Sequence, residues 1–328
     1  MTQNETRQPI MKIRNLTKEF KIKSKKLGAK PQILHALTDV SLDVYEGETL
    51  GIIGESGCGK STLGRTVIQL HKATSGSVEY LGKDLFSLTG AERKAMKRDI
   101  QMVFQDPYSS LDPRNTCEQL IAEPLKVHGI ISDSKARQDR VLELMREVGL
   151  DIQHMNRYPH EFSGGQRQRI NVARALALQP KIIICDEPVS ALDVSIQAQV
   201  LNLFNRLQRD HNLTYIFISH DLGVIKHVSD RIAIMYLGRV VELCKASQIY
   251  DNPLHPYTQA LLSAIPPESP FEKKQRIVLK GEIPSPIGDQ VGCPLAGRCP
   301  NCTERCTREI PKLNDTGDGH QVACFLYD

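Results

Sequence analysis

The stretch from Thr49 to Leu63, Thr-Leu-Gly-Ile-Ile-Gly-Glu-Ser-Gly-Cys-Gly-Lys-Ser-Thr-Leu, limits what this chain can fold into. Its apolar run from Leu50 to Ile53 predicts a buried parallel strand that ends at Gly54. Beyond it, Gly54, Gly59, Lys60 and Ser61 fit G-x-x-x-x-G-K-[ST], and Ser61-Thr-Leu-Gly-Arg-Thr-Val-Ile continues in helical register. Strand, glycine-rich turn and helix in this order make a cradle for phosphate. Glycines let backbone N–H groups curl around the anion, and the helix start turns its positive end toward it. Glu55, Ser56, Gly57 and Cys58 form the turn, Lys60 reaches the β- and γ-phosphates, and Ser61, followed by Thr62, takes one Mg²⁺ position. Average residue usage puts a chance match in such a chain at roughly one in a hundred. Nucleotide binding is the expectation.

The bulk properties exclude more than they specify. A chain of 328 residues has room for two domains, or for one with a substantial appendage. Lys and Arg number 42 against 38 Asp and Glu, and the resulting +4 is too mild to imply a nucleic-acid partner. Met1-Thr-Gln-Asn-Glu-Thr-Arg-Gln contains no apolar core of a signal peptide. The longest apolar runs, such as Ile232–Leu237, fall far short of the ~18 residues needed to span a bilayer. A soluble chain is expected, with any membrane role supplied through a partner. Of the nine cysteines, Cys58, Cys117, Cys185 and Cys244 are scattered, whereas Cys293, Cys299, Cys302, Cys306 and Cys324 crowd the C-terminal end. In a cytosolic chain such a cluster reads first as metal binding.

Along the chain, residues 11–16 and 39–45 alternate as strands. Between them Lys21, Lys23, Lys25, Lys26 and Lys30 surround Gly28, most simply a solvated loop that follows Phe20. Strands are expected at 77–81 and 100–104, with a short helix at 91–98. The second of these strands runs into Gln105, at the sheet end where ligands gather in parallel sheets. From Pro107 to Pro159 the pattern turns helical. Val141, Leu144, Met145 and Val148 share one face of a helix over 134–148 that stops at Gly149, predicting an inserted helical subdomain.

Ser163, followed by Gly164, Gly165 and Gln166, has the chemistry of an N-cap and opens a second anion-ready helix. Lys181-Ile-Ile-Ile-Cys-Asp-Glu-Pro is then an apolar strand ending in paired acids. Asp186 is placed to hold Mg²⁺ through water, and Glu187 to orient or deprotonate an attacking water. Ser190-Ala-Leu-Asp193 forms a tight turn before a helix over 195–210, and the strand 214–218 ends at His220, a candidate for the γ-phosphate.

Taken together, these pieces resemble the ATPase subunit of an ATP-binding-cassette (ABC) transporter. Gly54–Ser61 matches the Walker A motif and Gln105 the Q-loop. Ser163-Gly-Gly-Gln166 matches the ABC signature, with Phe162 where leucine is common. Ile182–Glu187 matches Walker B, Ser190–Asp193 the D-loop and His220 the switch histidine. Phe20 falls at the place of an adenine-stacking aromatic. The resemblance implies an α/β fold: a RecA-like P-loop ATPase core with an antiparallel β subdomain, an inserted α-helical subdomain over about 106–178, and a small Cys-rich C-terminal extension. It divides the chain into an ATPase domain, 1–251, and a C-terminal region, 252–328. It implies ATP and Mg²⁺ as ligands, Ser61, Gln105 and Asp186 around the ion, and Glu187 and His220 as catalytic residues. Two such subunits meet head to tail, so that Ser163–Gln166 of one acts on the ATP held by the other.

Gln-Asp-Pro-Tyr-Ser-Ser-Leu-Asp-Pro-Arg (105–114), Arg157-Tyr-Pro-His-Glu-Phe and Asn252-Pro-Leu-His-Pro-Tyr-Thr are similar to the oligopeptide/dipeptide importer branch, most closely its F-type ATPases. That likeness implies peptide import at the cytoplasmic face of the cell (inner) membrane. Its partners would be a second, different ATPase subunit, two transmembrane permeases and an extracytoplasmic peptide-binding protein. Related importers carry other substrates such as nickel or glutathione.

The tail is proline-rich at Pro266, Pro267, Pro270, Pro284 and Pro286, and its cysteines run C-x5-C-x2-C-x3-C-x17-C. The importer branch resembles this as Cys293, Cys299, Cys306 and Cys324, which implies a [4Fe–4S] cluster. Cys302 is an alternative ligand, and Cys299-x-x-Cys302 keeps a Zn²⁺ site open, as are unmetallated thiols. A non-transport ABC ATPase of DNA repair or translation is the competing class. The first is disfavoured because the interval before the signature is short and lacks heptads, the second because the chain has one cassette. An iron–sulfur regulator that merely binds ATP is disfavoured by the intact Glu187 and His220.

Overall fold

The chain is described from a computed structural model, over residues 8–22, 31–265, 275–288 and 290–328. Lys23, Lys25, Lys26, Gly28 and Lys30, and the prolines 266, 267 and 270, lie outside the described residues. The elements in chain order are β1 (Pro9–Ile22), β2 (Gln32–Tyr45), β3 (Thr49–Ile53), α1 (Lys60–Val67), β4 (Ser75–Tyr80), β5 (Lys83–Asp84), α2 (Gly90–Asp99) and β6 (Ile100–Val103). They continue as α3 (Cys117–His128), α4 (Ser134–Glu147), α5 (Gly164–Leu176), β7 (Ile182–Asp186), α6 (Val194–His211), β8 (Thr214–Ser219) and α7 (Leu222–Val228). Then come β9 (Arg231–Tyr236), β10 (Arg239–Lys245), α8 (Ala246–Asp251), α9 (Pro256–Ser263), α10 (Glu304–Arg308), β11 (Asn314–Asp315) and β12 (Gln321–Val322).

The fold separates into two compact units interleaved along the chain. One gathers Val44–Thr49 and Tyr80–Ser219 with the described part of Met1–Ile10; the other gathers Met11–Asp43, Leu50–Glu79 and the described part of His220–Asp328.

In the first unit β6, β7 and β8 run parallel, pairing Ile100 with Ile182 and Ile182 with Thr214. Every residue of β7 is buried, which is why the strand reads as an unbroken apolar run rather than an alternation. Helices α3, α4 and α5 pack together. Helix α3 starts on a capping box in which Thr116 Oγ1 accepts from Gln119 N–H, and it stops at Gly129 in the left-handed conformation. Helix α4 is capped by Asp133, whose carboxylate accepts from Ala136 N–H at 2.7 Å.

In the second unit β3 lies parallel to β9, which pairs antiparallel with β10. The pairing continues outward as β10 with β12 and β12 with β11, both antiparallel. A second sheet includes β2, β1 and β4 as neighbours in that order. The partners of β1 run in reverse along β2, with Arg14 against Asp43, Asn15 against Asp39 and Glu19 against His35. This is the expected antiparallel subdomain. Strand β1 extends to Ile22, well past the expected 16, because partners distant in sequence hold its far end. Thr74 N–H donates to Thr17 O at 2.8 Å, and Glu19 N–H donates to Thr74 Oγ1 at 2.9 Å.

Candidate functional site

The phosphate loop belongs to the second unit. Strand β3 delivers the chain to Gly54, and α1 departs from Gly59, whose φ of 105° only glycine adopts readily. A Cβ on Gly54 would lie 2.2 Å from the Met235 carbonyl oxygen, and one on Gly59 would lie 2.3 Å from that of Ala36. Lys60 is 4% exposed and folds back over the loop, its Nζ donating to the carbonyls of Gly54 at 2.7 Å and Glu55 at 3.1 Å. An ammonium held by the loop's own carbonyls stands ready to exchange them for phosphate oxygens. Ser56 and Gly57 are exposed, Cys58 is buried, and Ser61 and Thr62 are half-buried at the helix start. Burial pushes the Cys58 thiol up, so it acts as an apolar filler under the loop.

Residues that sequence reasoning missed brace this loop. Glu55 N–H donates to the Tyr257 hydroxyl at 2.9 Å, and Glu55 Oε2 lies 3.3 Å from Arg298 Nη1. The Tyr236 and Tyr257 rings pack with centroids 4.6 Å apart. The only sequence signal was the run Asn252–Thr258, and its chemistry is now visible. His255 Nδ1 accepts from Tyr257 N–H at 3.1 Å and caps α9, which sends Tyr257 toward Glu55. His255 N–H in turn donates to Glu242 Oε2 at 2.9 Å. Phe20 meets the edge of His71, centroids 5.4 Å apart, and Lys18 Nζ lies 4.5 Å above its ring.

In the first unit β7 ends with Asp186 fully buried and Glu187 half-buried. Glu187 has φ of 47°, a left-handed conformation that costs a side-chain-bearing residue energy and marks sites where geometry outranks comfort. Several contacts hold it there. Its N–H donates to Ile218 O at 2.9 Å, its carbonyl accepts from Ser190 Oγ at 3.1 Å, and Gln105 Nε2 donates to its Oε2 at 2.9 Å. Gln105 and the paired acids, distant in sequence, are thus brought together. Asp193 leads into α6, and His220 is exposed beyond β8.

Ser163 caps α5 reciprocally. Its Oγ accepts from Gln166 N–H at 3.3 Å, and Gln166 Oε1 accepts from Ser163 N–H at 2.9 Å. Gly165 is required by packing, since a Cβ there would lie 2.4 Å from Ile196 Cγ2 on α6. One face of α5 also fastens the segment after Gln105. Arg167 sits 5.1 Å over the Tyr108 ring, Asn171 Oδ1 accepts from Ser110 Oγ at 3.1 Å, and Arg174 donates to Ser110 O at 3.0 Å.

At the C-terminal end Cys293, Cys299, Cys306 and Cys324 line a cavity of about 130 Å³ together with His255, Leu295 and Phe325. Cys302 is not among the described residues of that lining; it is exposed, with Sγ 3.6 Å from Thr303 O. Burial pushes the Cys293 thiol up to about 11, reinforced by its neighbouring thiols. A second group that sequence reasoning missed, Glu242, Cys244 and His320, has its donor atoms within 4.8 Å of one another. Its carboxylate already accepts from Leu254 N–H at 2.8 Å and His255 N–H at 2.9 Å, and His320 Nε2 lies 2.7 Å from it. That satisfies the carboxylate without an ion and ties β12 to β10.

The fold matches solved ATP-binding cassettes. A dimeric post-hydrolysis state of the cassette MJ0796 bound to ADP and Pi superposes with a TM-score of 0.64 at 32% identity, over 72% of this chain and 98% of that one. Residues 37–190 match the ABC transporter family, and residues 241–306 match the oligopeptide/dipeptide transporter C-terminal region. The oligopeptide transport ATP-binding protein AppF of Bacillus subtilis is 51% identical over 97% of both chains. OppF of Salmonella typhimurium, also an oligopeptide transport ATP-binding protein, is 51% identical over 99% of this chain and 98% of its own. The dipeptide transport ATP-binding protein DppF of Escherichia coli is 47% identical over 100% and 97%. The chain belongs to the ATP-binding subunits of ABC transporters, in their oligopeptide/dipeptide branch.

Proposed function

We propose that this chain hydrolyses MgATP to power peptide import through a membrane ABC transporter, as one of two cassettes joined head to tail. The observation that carries the catalytic part is Glu187, held at the end of β7 by Gln105 at 2.9 Å. Glu187 activates water, Asp186, Ser61 and Gln105 attend Mg²⁺, and His220 attends the γ-phosphate. Lys60 and residues 54–62 bind the phosphates, with Phe20 against the adenine. Ser163–Gln166, a capped helix start in the other unit of the fold, completes the ATP site of the partner cassette. The near-full-length likeness to peptide-transport subunits supports the substrate class, a different chain as the second cassette, two permeases and a peptide-binding protein. Among the described residues no helix is long and apolar enough to cross a membrane; peripheral attachment at the cytoplasmic face rests on the likeness to transport ATP-binding proteins. Vesicles holding the permeases and both ATPase subunits should accumulate labelled peptide only when this chain and MgATP are present. Uptake that persists without this chain, or that follows nickel or glutathione in place of peptide, would refute the assignment.

We propose further that the cavity lined by Cys293, Cys299, Cys306 and Cys324 holds a [4Fe–4S] cluster. Four half-buried thiols line one small void, a donor set suited to iron–sulfur ligation, while Cys302, beside Cys306, is exposed and outside that lining. Such a cluster would hold the loops of the tail together. Protein purified without oxygen should be brown, with absorbance at about 400 nm and iron and sulfide in cluster stoichiometry. Colourless protein carrying stoichiometric zinc would replace iron with Zn²⁺ in the same cavity.

A further inference from the structure

Arg298 runs from the cysteine loop to the phosphate loop. Its backbone sits one residue before Cys299, in a turn where the N–H groups of Arg298 and Cys299 both donate to Leu295 O, at 2.8 and 2.9 Å. Its side chain leaves that turn and is only 11% exposed. There Nη1 lies 3.3 Å from Glu55 Oε2 and 3.3 Å from the Tyr236 hydroxyl, and the guanidinium carbon is 6.0 Å from the Tyr236 ring centre. Its Nε is buried without a hydrogen-bond partner among the described residues. The cysteine turn therefore does not hold the guanidinium locally; Glu55 and Tyr236 hold it.

Glu55 directly follows Gly54 in G-x-x-x-x-G-K-[ST], and each of its polar groups is engaged. The N–H is given to Tyr257, the carbonyl accepts from Lys60 Nζ, and the carboxylate faces Arg298. Two of these three contacts come from residues C-terminal to β10. A partly buried ion pair is screened little by solvent, so it can fix where the loop begins.

We propose that Arg298 is a positioning residue for the phosphate loop, and that through it the filling of the cysteine cavity and the affinity for nucleotide are coupled. The coupling rests on the metal-cluster reading above; the positioning does not. Thiolates drawn onto a metal fix Cys299, and the adjoining Arg298 is fixed on the same turn. A filled cavity then tightens nucleotide binding, and by linkage bound nucleotide tightens metal binding by the same factor at equilibrium.

The test is equilibrium binding of MgADP to the full chain. Arg298→Gln should weaken binding by about tenfold, and Arg298→Lys, which keeps the charge, should recover part of the loss. Glu55→Gln should cost a similar factor, and the double variant should lose little more than either single one. Wild-type affinity in Arg298→Gln, or fully additive losses, would overturn the positioning role. Wild-type protein stripped by a chelator should bind like Arg298→Gln, and stripping that variant should change nothing further. Unchanged affinity of stripped wild type would overturn the coupling. Metal analysis of the purified chain separates the two ideas. If it finds no metal, the cluster reading has failed and the coupling with it, while Arg298→Gln against wild type still decides the positioning.

Discussion

Glu187→Gln is expected to abolish ATP turnover in the assembled transporter while leaving ATP bound. The substitution keeps the side chain's size, so the left-handed backbone at φ 47° and its bonds to Ile218 and Ser190 need not change. What changes is the chemistry. An amide cannot accept a proton from water, and a lost general base typically costs a factor of about 10² to 10⁴. Nucleotide binding does not depend on that proton, so two ATP-filled cassettes should stay closed on each other. Phosphate release and retained nucleotide, measured on the same complex, would check both halves of the expectation. Turnover at the wild-type rate would remove Glu187 from the reaction.

Gly59→Ala should have the next largest effect, through the backbone rather than through a reacting group. The residue has φ of 105°, and its new methyl would approach Ala36 O at 2.3 Å and Leu37 Cδ2 at 3.2 Å. The oxygen belongs to the backbone of β2 and cannot rotate away. That strand is also tied to the neighbouring turn, where Thr38 N–H donates to Gly238 O and Gly238 N–H donates to Cys58 O, both at 2.8 Å. Backbone strain and overpacking together should destabilise the protein by roughly 2–4 kcal/mol. Displacing the loop that holds the phosphates should lower turnover by about a hundredfold. Gly57→Ala is the natural control. Its φ of 80° carries similar strain, but a methyl there meets nothing within 4 Å among the described residues. A thermal midpoint and an ATPase rate for each variant decide the matter, and equal losses at the two positions would show that the Ala36 contact is not the cause.

Much of this was legible in the sequence because the relevant strands are buried on both faces. Residues 50–53 and 182–186 carry no polar residue before their functional ends, and the structure places both as fully buried strands. The start of α5 was equally readable, since Ser163 and the two glycines after it have N-cap chemistry, and the structure adds Gln166, three residues on, as its capping-box partner. What could not be read was the reason behind a residue type. Ser163 predicts a cap, yet Gly165 is needed because Ile196 presses on it from another helix. The run Asn252–Thr258 marks a branch of the family, but nothing local says that Tyr257 accepts from Glu55 N–H. Arg298 carried no signal at all, because its partners Tyr236 and Glu55 lie far back along the chain. The two-residue strands β11 and β12 were invisible for the same reason, since a pattern of two residues has no period.

That last pairing bears on the life of the polypeptide in the cell. Strand β12 covers β10 at Glu242 and Leu243, and His320 meets the Glu242 carboxylate in the interior. A polypeptide released from the ribosome a little before His320 would contain every residue proposed for ATP chemistry. It would nevertheless lack that partner for a buried carboxylate, at a cost of about 1–3 kcal/mol, and would leave a ladder of backbone groups open on β10. Open ladders invite aggregation and protease attack. Residues 314–322 thus protect β10 and its buried carboxylate without taking part in the ATP chemistry.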